Sequence, residues 1–282
     1  MQPTRRQLLT TASAALFFPL LPGCAQVDLR EGADYTPTVG QPGKDVVWVP
    51  TPDAVVQRML DLAEVKAGDR VVDLGSGDGK IAIAAAKRGA RARGIEYNPD
   101  MVALARRNAR EAGVQVDFAQ GDIFQADFSD ADVITLYLLP SLNEQLRPIL
   151  LKMKPGTRVT SHQFRMGPWT PDRTDEVSGR DAHLWIVPAS ADGAWTLRAG
   201  DGASLQLQLR QQFQMLDGHA LAGSQRVPLE LASLRGRAIR FDVPGGTAGT
   251  LRFEGTVDGG RMSGTVGPLA GGPRVPFTGT RG

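Results

Sequence analysis

The chain has 282 residues, 41% of them hydrophobic, enough to bury one large core or two smaller ones. Its formal charge of +2 comes from the extreme N-terminus: without Arg5 and Arg6 the remainder balances 30 basic against 30 acidic side chains, which argues against a broad nucleic-acid footprint. The single cysteine, Cys24, excludes an internal disulfide or a cysteine-rich metal site, and His162, His183 and His219 show no ligand spacing, so no metal centre is expected.

In chain order, the first segment is an address. Residues 4–9, "TRRQLL", place paired arginines before a charge-poor stretch interrupted by Pro19 and Pro22, too short to span a bilayer well as a helix. Residues 1–23 therefore read as a signal peptide, similar to the twin-arginine signals that export folded proteins. "LPGC" at 21–24 resembles a lipid-attachment box that would leave Cys24 as the lipidated new N-terminus, with Pro22 departing from the usual small or aliphatic residue. The expectation is an exported, membrane-tethered periplasmic lipoprotein. The alternative is an uncleaved anchor on the cytoplasmic face of the inner membrane. Residues 24–47 are polar, contain Pro37, Gly40, Pro42 and Gly43, and read as a flexible tether.

Order is expected from Trp48. After Pro52, Val55, Met59 and Leu62 fall on one helical face, with Gly68 as a stop. Strands are predicted at 70–74, 92–96, 114–118, 131–139 and 158–164, with helices at about 80–88, 99–112 and 142–153 between them. Strands separated by helices need crossover connections, so the expected fold is α/β, with a doubly wound, mostly parallel, Rossmann-like sheet over residues 48–188. Asn98 and Pro99 mark one helix start and Gly113 its stop, Ser141 with Glu144 fits a capping box, and Pro148 should kink or restart the last helix. From 189 to 282, which holds 18 of the 33 glycines, runs at 195–199, 204–216, 237–243 and 250–257 alternate apolar and polar residues, predicting a small all-β antiparallel barrel or sandwich.

The chemistry concentrates in "VVDLGSGDGK". Asp73 ends the first strand, and Gly75, Gly77 and Gly79 follow at alternate positions, where missing Cβ atoms let the backbone turn sharply and approach a ligand. Glu96, ending the second strand in "GIEYN", is placed to accept ribose hydroxyls, and Asp122, after the third in "QGDIF", to read an adenine amino group. A dinucleotide fingerprint counted from Gly75 would need its third glycine at position 80, which is Lys80, so nicotinamide chemistry is disfavoured. Singly, these acids could be helix caps or solvated strand ends.

Those motifs resemble class I S-adenosylmethionine-dependent methyltransferases over roughly 48–188. "VPTP" (49–52), "TLYLLPSLNEQLRPILLKMKPGTRV" (135–159) and "SHQF" (161–164) are most similar to the lysine methyltransferases of the ATP synthase c-subunit type and, distantly, to histone-lysine enzymes lacking a SET domain. The resemblance implies S-adenosylmethionine as cofactor and a protein lysine amine as acceptor. It implies that Asp73, Gly75, Gly77 and Glu96 contact cofactor, with Ser76, Gly79 and Tyr97 from the same motifs. Asp122 and Ile123 would frame adenine, and Thr51 would close over the methionine end. Near the substrate side, Tyr137, Thr135 and His162 are candidates for orienting the acceptor or relaying a proton, against core packing for Tyr137 and a satisfied structural histidine. Trp48, Trp169 and Trp185 are either pocket walls or core. Export and an appended β domain lie outside the family pattern, so a non-catalytic envelope lipoprotein with a scaffold fold is the competing reading.

Overall fold

The structure is a computed structural model that describes residues 35–45, 47–200, 203–222, 225–246 and 249–282. The signal-like segment and Cys24 lie outside the described residues. Among the described residues no helix is long and apolar enough to cross a membrane.

The first unit is a seven-stranded sheet. Its chain order is α1 (Asp53–Leu62), β1 (Arg70–Leu74), α2 (Lys80–Lys87), β2 (Arg91–Glu96), α3 (Pro99–Glu111), β3 (Val116–Gln120), β4 (Val133–Leu136), α4 (Pro140–Leu150), β5 (Arg158–His162), β6 (Arg173–Val177) and β7 (Arg180–Ile186). In space the order is β3-β2-β1-β4-β5-β7-β6: five parallel strands joined at β5 to an antiparallel hairpin. The reversal of winding beside β1 opens a crevice at the carboxyl ends of β1 and β4, where open α/β sheets bind ligands.

The sheet is buried on both faces. α1, α2 and α3 pack Val55, Met59, Ile81, Val102 and Ala105 on one face. On the other, Leu142, Leu146 and Leu150 of α4 meet Ile134, Leu136, Trp169 and Trp185. Val55, Met59 and Leu62 are buried as their spacing predicts, but the left-handed residue after α1 is Glu64, φ 48°, and Gly68 serves the turn into β1. Asn98 caps α3, its side chain accepting from the Asp100 N–H at 2.9 Å, with Pro99 at the first position and Gly113 left-handed after the end.

Several boundaries differ from expectation. α4 starts at Pro140, whose fixed φ suits the first helical position, so Leu139 is the N-cap and the Ser141–Glu144 capping box does not form. Pro148 neither restarts nor divides this helix; it lies in the last turn, and the helix ends two residues later. β4 is shorter than the apolar run 131–139, because residues beyond Leu136 leave the sheet to line the cleft.

The second unit holds nine antiparallel strands: β8 (Gly193–Ala199), β9 (Ala203–Gln212), β10 (Met215–Ala222), β11 (Gln225–Pro228), β12 (Glu230–Arg235), β13 (Ala238–Pro244), β14 (Thr250–Asp258), β15 (Arg261–Pro268) and β16 (Val275–Arg281). Their order is β11-β10-β9-β8-β16-β15-β14-β13-β12. The two edge strands are separated by Leu229 alone, so the sheet curls into a nearly closed barrel, and Leu229 N–H donates to Gly218 O of β10 at 3.0 Å, extending the β10–β11 ladder up to the turn into β12. Alternate residues fill its interior, among them Trp195, Leu197, Phe241, Phe253, Val257 and Phe277. The run 204–216 is two strands rather than one, turning at Phe213–Gln214 without any of the usual turn residues.

Candidate functional site

Register brings the key acid into place. Asp73 lies opposite Gly94 on β2 and Thr135 on β4. Neighbouring strands in a parallel sheet point paired side chains the same way, so Thr135 Oγ1 reaches Asp73 and donates to Oδ1 at 2.6 Å. Both side chains are buried, and burial, outweighing the Thr135 bond, pushes the Asp73 carboxyl up to about 7.

Beyond Asp73 the chain bends through the glycine turn, tied to β2 by Gly75 N–H and Ser76 N–H donating to Ile95 O at 2.9 and 3.0 Å. Gly75 and Gly77 have φ of 74° and 53°, and a Cβ on them would come within 2.8 Å of Leu138 and 2.9 Å of the Trp48 indole nitrogen. Between them the Ser76 Oγ is buried without a partner. Glu96 closes the turn: its carboxylate accepts from Gly77 N–H at 3.0 Å and from Asn98 N–H at 2.9 Å.

These residues line a cleft of about 310 Å³, with Thr51, Asp73, Gly75, Ser76, Gly77, Glu96, Tyr97, Asp122, Ile123 and Tyr137 in its wall. The structure therefore gathers nine of the ten candidate cofactor contacts around one cavity. The exception is Gly79. Its absent Cβ faces Phe118 Cζ at 2.5 Å and Ala105 Cβ at 3.0 Å, so it serves packing beneath the turn and not the approach of a ligand.

Of the three candidates on the acceptor side, Tyr137 alone lines the cleft. Thr135 is spent on Asp73, and His162 lies fully buried behind the wall. The His162 ring packs under Tyr137 with centroids 3.9 Å apart, and its Nδ1 meets Thr51 Oγ1 at 3.2 Å. Burial, aided by the Arg180 charge, pushes it down to about 4, so it is neutral at ordinary pH and a poor proton sink. Its Nε2 is buried without a partner.

Other residues at the cleft carried weaker sequence signals. Lys44 donates to Asp122 Oδ2 at 2.8 Å and sits 4.5 Å over the Tyr97 ring, holding the Asp122 carboxyl below the usual range. Residues 41–45, 47 and 48 run along the mouth. Trp48 lines it, whereas Trp169 and Trp185 are core. Phe164 also lines the cleft, stacked on Tyr137 at 6.1 Å. Its carbonyl accepts from the buried Asn143 amide of α4 at 3.2 Å, and from Ser161 Oγ at 2.8 Å. Gly94 was legible as a glycine inside a strand: a Cβ there would lie 2.5 Å from Phe118 and 2.6 Å from Ser76 Oγ.

Five acids (Asp45, Asp73, Asp78, Glu96, Asp122) and two bases (Lys44, Lys80) line the cleft, so its balance is acidic. Before residue 189, the exposed large apolar side chains among the described residues are Val39, Val47, Val49, Tyr97 and Leu139, and all but Val39 line the same cleft.

Comparison with known proteins gives methyltransferase matches whose named acceptors differ. Residues 73–173 match the ANTKMT methyltransferase domain family. A protein-lysine N-methyltransferase of Saccharolobus islandicus is 44% identical over 151 residues, which is 50% of this chain and 94% of that protein. The mouse adenine nucleotide translocase lysine N-methyltransferase is 34% identical over 58% of this chain and 69% of its own length. Among solved structures, an RNA methyltransferase from Salinibacter ruber in complex with S-adenosyl-L-homocysteine is 56% identical, covering 50% of this chain and 95% of that one, with a TM-score of 0.50.

Proposed function

The chain belongs to the methyltransferase family of the Saccharolobus islandicus enzyme, and from that premise we propose that it methylates the side-chain amine of a lysine within a protein. It is an S-adenosylmethionine-dependent methyltransferase. When bound, S-adenosylmethionine supplies a methyl group on a cationic sulfur, already activated for transfer.

The residues present fit that group. The cradle at Gly75 and Gly77, where a Cβ would press on the cleft-lining Leu138 and Trp48, leaves room for close approach of a ligand to the backbone. Asp73 would face the cationic end, Glu96 the ribose hydroxyls, and Asp122 with Ile123 the adenine. Thr51, braced by His162, would close the methionine end. Tyr137 and Phe164 form an aromatic wall that excludes water and aligns an incoming amine, an orientation effect that supplies about 7–11 kcal/mol in well-aligned reactions.

A lysine must lose its proton before it attacks, which costs about 4–5 kcal/mol at neutral pH from an unperturbed value near 10.4. The wall of Tyr137, Leu138 and Phe164 holds no strong base, and His162 lies behind it, so the proton leaves to solvent before the amine seats. The rate should therefore rise close to tenfold per pH unit over about pH 7–9.

The observation that carries the lysine reading over an RNA acceptor is the apolar mouth: Val47, Val49, Tyr97 and Leu139 are exposed around it, beside Tyr137 and Phe164, a surface that suits an alkyl side chain with apolar neighbours and is a poor one for a polyphosphate. The names of the protein-lysine relatives support it; that of the Salinibacter structure favours RNA. The test is to supply methyl-labelled S-adenosylmethionine with poly-L-lysine, a mixed protein extract and total RNA. Methyl-lysine in hydrolysates of the protein fractions is expected, and label confined to nucleotides would overturn the proposal. Glu96→Ala should weaken cofactor binding, read by calorimetry, by about tenfold or more, because it removes the acceptor that also orders Gly77 and Asn98.

A further inference from the structure

The C-terminal barrel touches the methyltransferase unit beside the acceptor wall. The loop after β5 carries Phe164 into the cleft and, five residues on, buries Trp169 completely. Trp169 is fixed on its own side by Trp185, whose indole N–H donates to Trp169 O at 2.7 Å. From the other side comes the turn between β9 and β10. The Phe213 ring stacks on Trp169 with centroids 6.2 Å apart, and Trp169 Nε1–H donates to Gln214 Oε1 at 2.9 Å. Gln214 Nε2 in turn donates to Thr170 O at 2.6 Å.

The sequence of this turn makes sense only through that contact. Phe213 has φ 56°, a left-handed conformation that costs a bulky residue and that glycine adopts freely. Gln211 reaches across to hold the turn, its Nε2 donating to Phe213 O at 2.7 Å. The same ring lies 6.0 Å beneath the Arg147 guanidinium of α4, and Arg147 Nη1 donates to Met166 O at 2.7 Å, in the middle of the Phe164 loop. Barrel, helix and loop thus grip one short segment that ends in the cleft.

We propose that the barrel is a working part of the enzyme: Phe213 and Gln214 are positioning residues that, through Trp169, hold the Phe164 wall in place for the acceptor. The identity of that acceptor as a lysine rests on the function proposed above. The cofactor side, built on β1, β2 and the glycine turn, has no barrel residue in its wall and should be indifferent to the barrel.

Two full-length variants test this. Phe213→Gly removes the ring while relieving the left-handed backbone, and Gln214→Ala removes both polar contacts while leaving the turn. In each, S-adenosylmethionine affinity by calorimetry should match the unmodified protein. KM for poly-L-lysine should rise about tenfold with kcat changed less than about twofold, as for a misplaced binding wall. Amide exchange over residues 163–170 should accelerate, without matching change in the strands of the barrel. Unchanged KM and exchange in both variants, or a loss of cofactor affinity equal to the loss in kcat/KM, would overturn it. If the unmodified enzyme leaves poly-L-lysine unmethylated, the lysine reading is what fails, and exchange over 163–170 alone then decides the positioning claim.

Discussion

Asp73 holds a conflict between stability and function within one side chain. Its carboxyl is raised from 3.8 to about 7, so its contribution to stability is fully present below about pH 4 and is lost as pH rises through 7. Asp73→Asn keeps the shape and an acceptor for Thr135 without the buried charge. It should stabilise the cofactor-free enzyme at pH 8 by up to about 4 kcal/mol, at about 1.4 kcal/mol per unit, with the gain disappearing below pH 4 in thermal melts. The same substitution should weaken S-adenosylmethionine binding, because a cationic ligand favours the ionised acid. For the unmodified enzyme, affinity should accordingly fall as pH drops below 7, with proton release on binding above zero in calorimetry run in two buffers. The acids were legible in the sequence because each ends a strand. The partnership of Asp73 with Thr135 was not, since 62 residues separate them and strand register alone makes them neighbours.

At the scale of elements, β2 and the glycine turn are locked together around Phe118 of β3. Gly79 and Gly94 form its socket, with prospective Cβ atoms each 2.5 Å from the ring. Gly94→Ala should lower stability by about 1–3 kcal/mol, measured by urea titration, through overpacking in a strand that cannot move aside. Capping of α3 was readable because Asn98, Pro99 and Gly113 act within a few residues of one another. The start of α4 was misread, because a capping-box pattern competes there with Pro140, and the proline's fixed dihedral prevails. The turn at Phe213 was invisible for a related reason: its residues are chosen for what they touch on the other unit, not for turn chemistry.

Across the whole molecule, charge is nearly balanced while the cleft is acidic. Attraction between exposed charges fades as salt shortens its range, so KM for poly-L-lysine should rise severalfold between about 0.05 and 0.5 M salt. S-adenosylmethionine, held within the cleft, should respond less. The N-terminal reading stands as a proposal at this scale: the chain is exported and lipid-anchored through Cys24. Radiolabelled palmitate should enter the protein in cells, and Cys24→Ala should abolish that incorporation and shift the chain out of the membrane fraction.

Alternation of apolar runs with helical patterns, a glycine-rich bend and acids at successive strand ends were enough to determine the α/β class, the β module and much of the lining of the cleft. Each of those signals is local, written in residues a few positions apart. Tertiary structure decided the rest: that Thr135 serves Asp73, that His162 stands behind Tyr137, and that the barrel reaches Trp169, on the loop after β5, through Phe213 and Gln214. Those relations depend on strand register and on the docking of two units, which join residues far apart in the chain and leave no periodic trace in it.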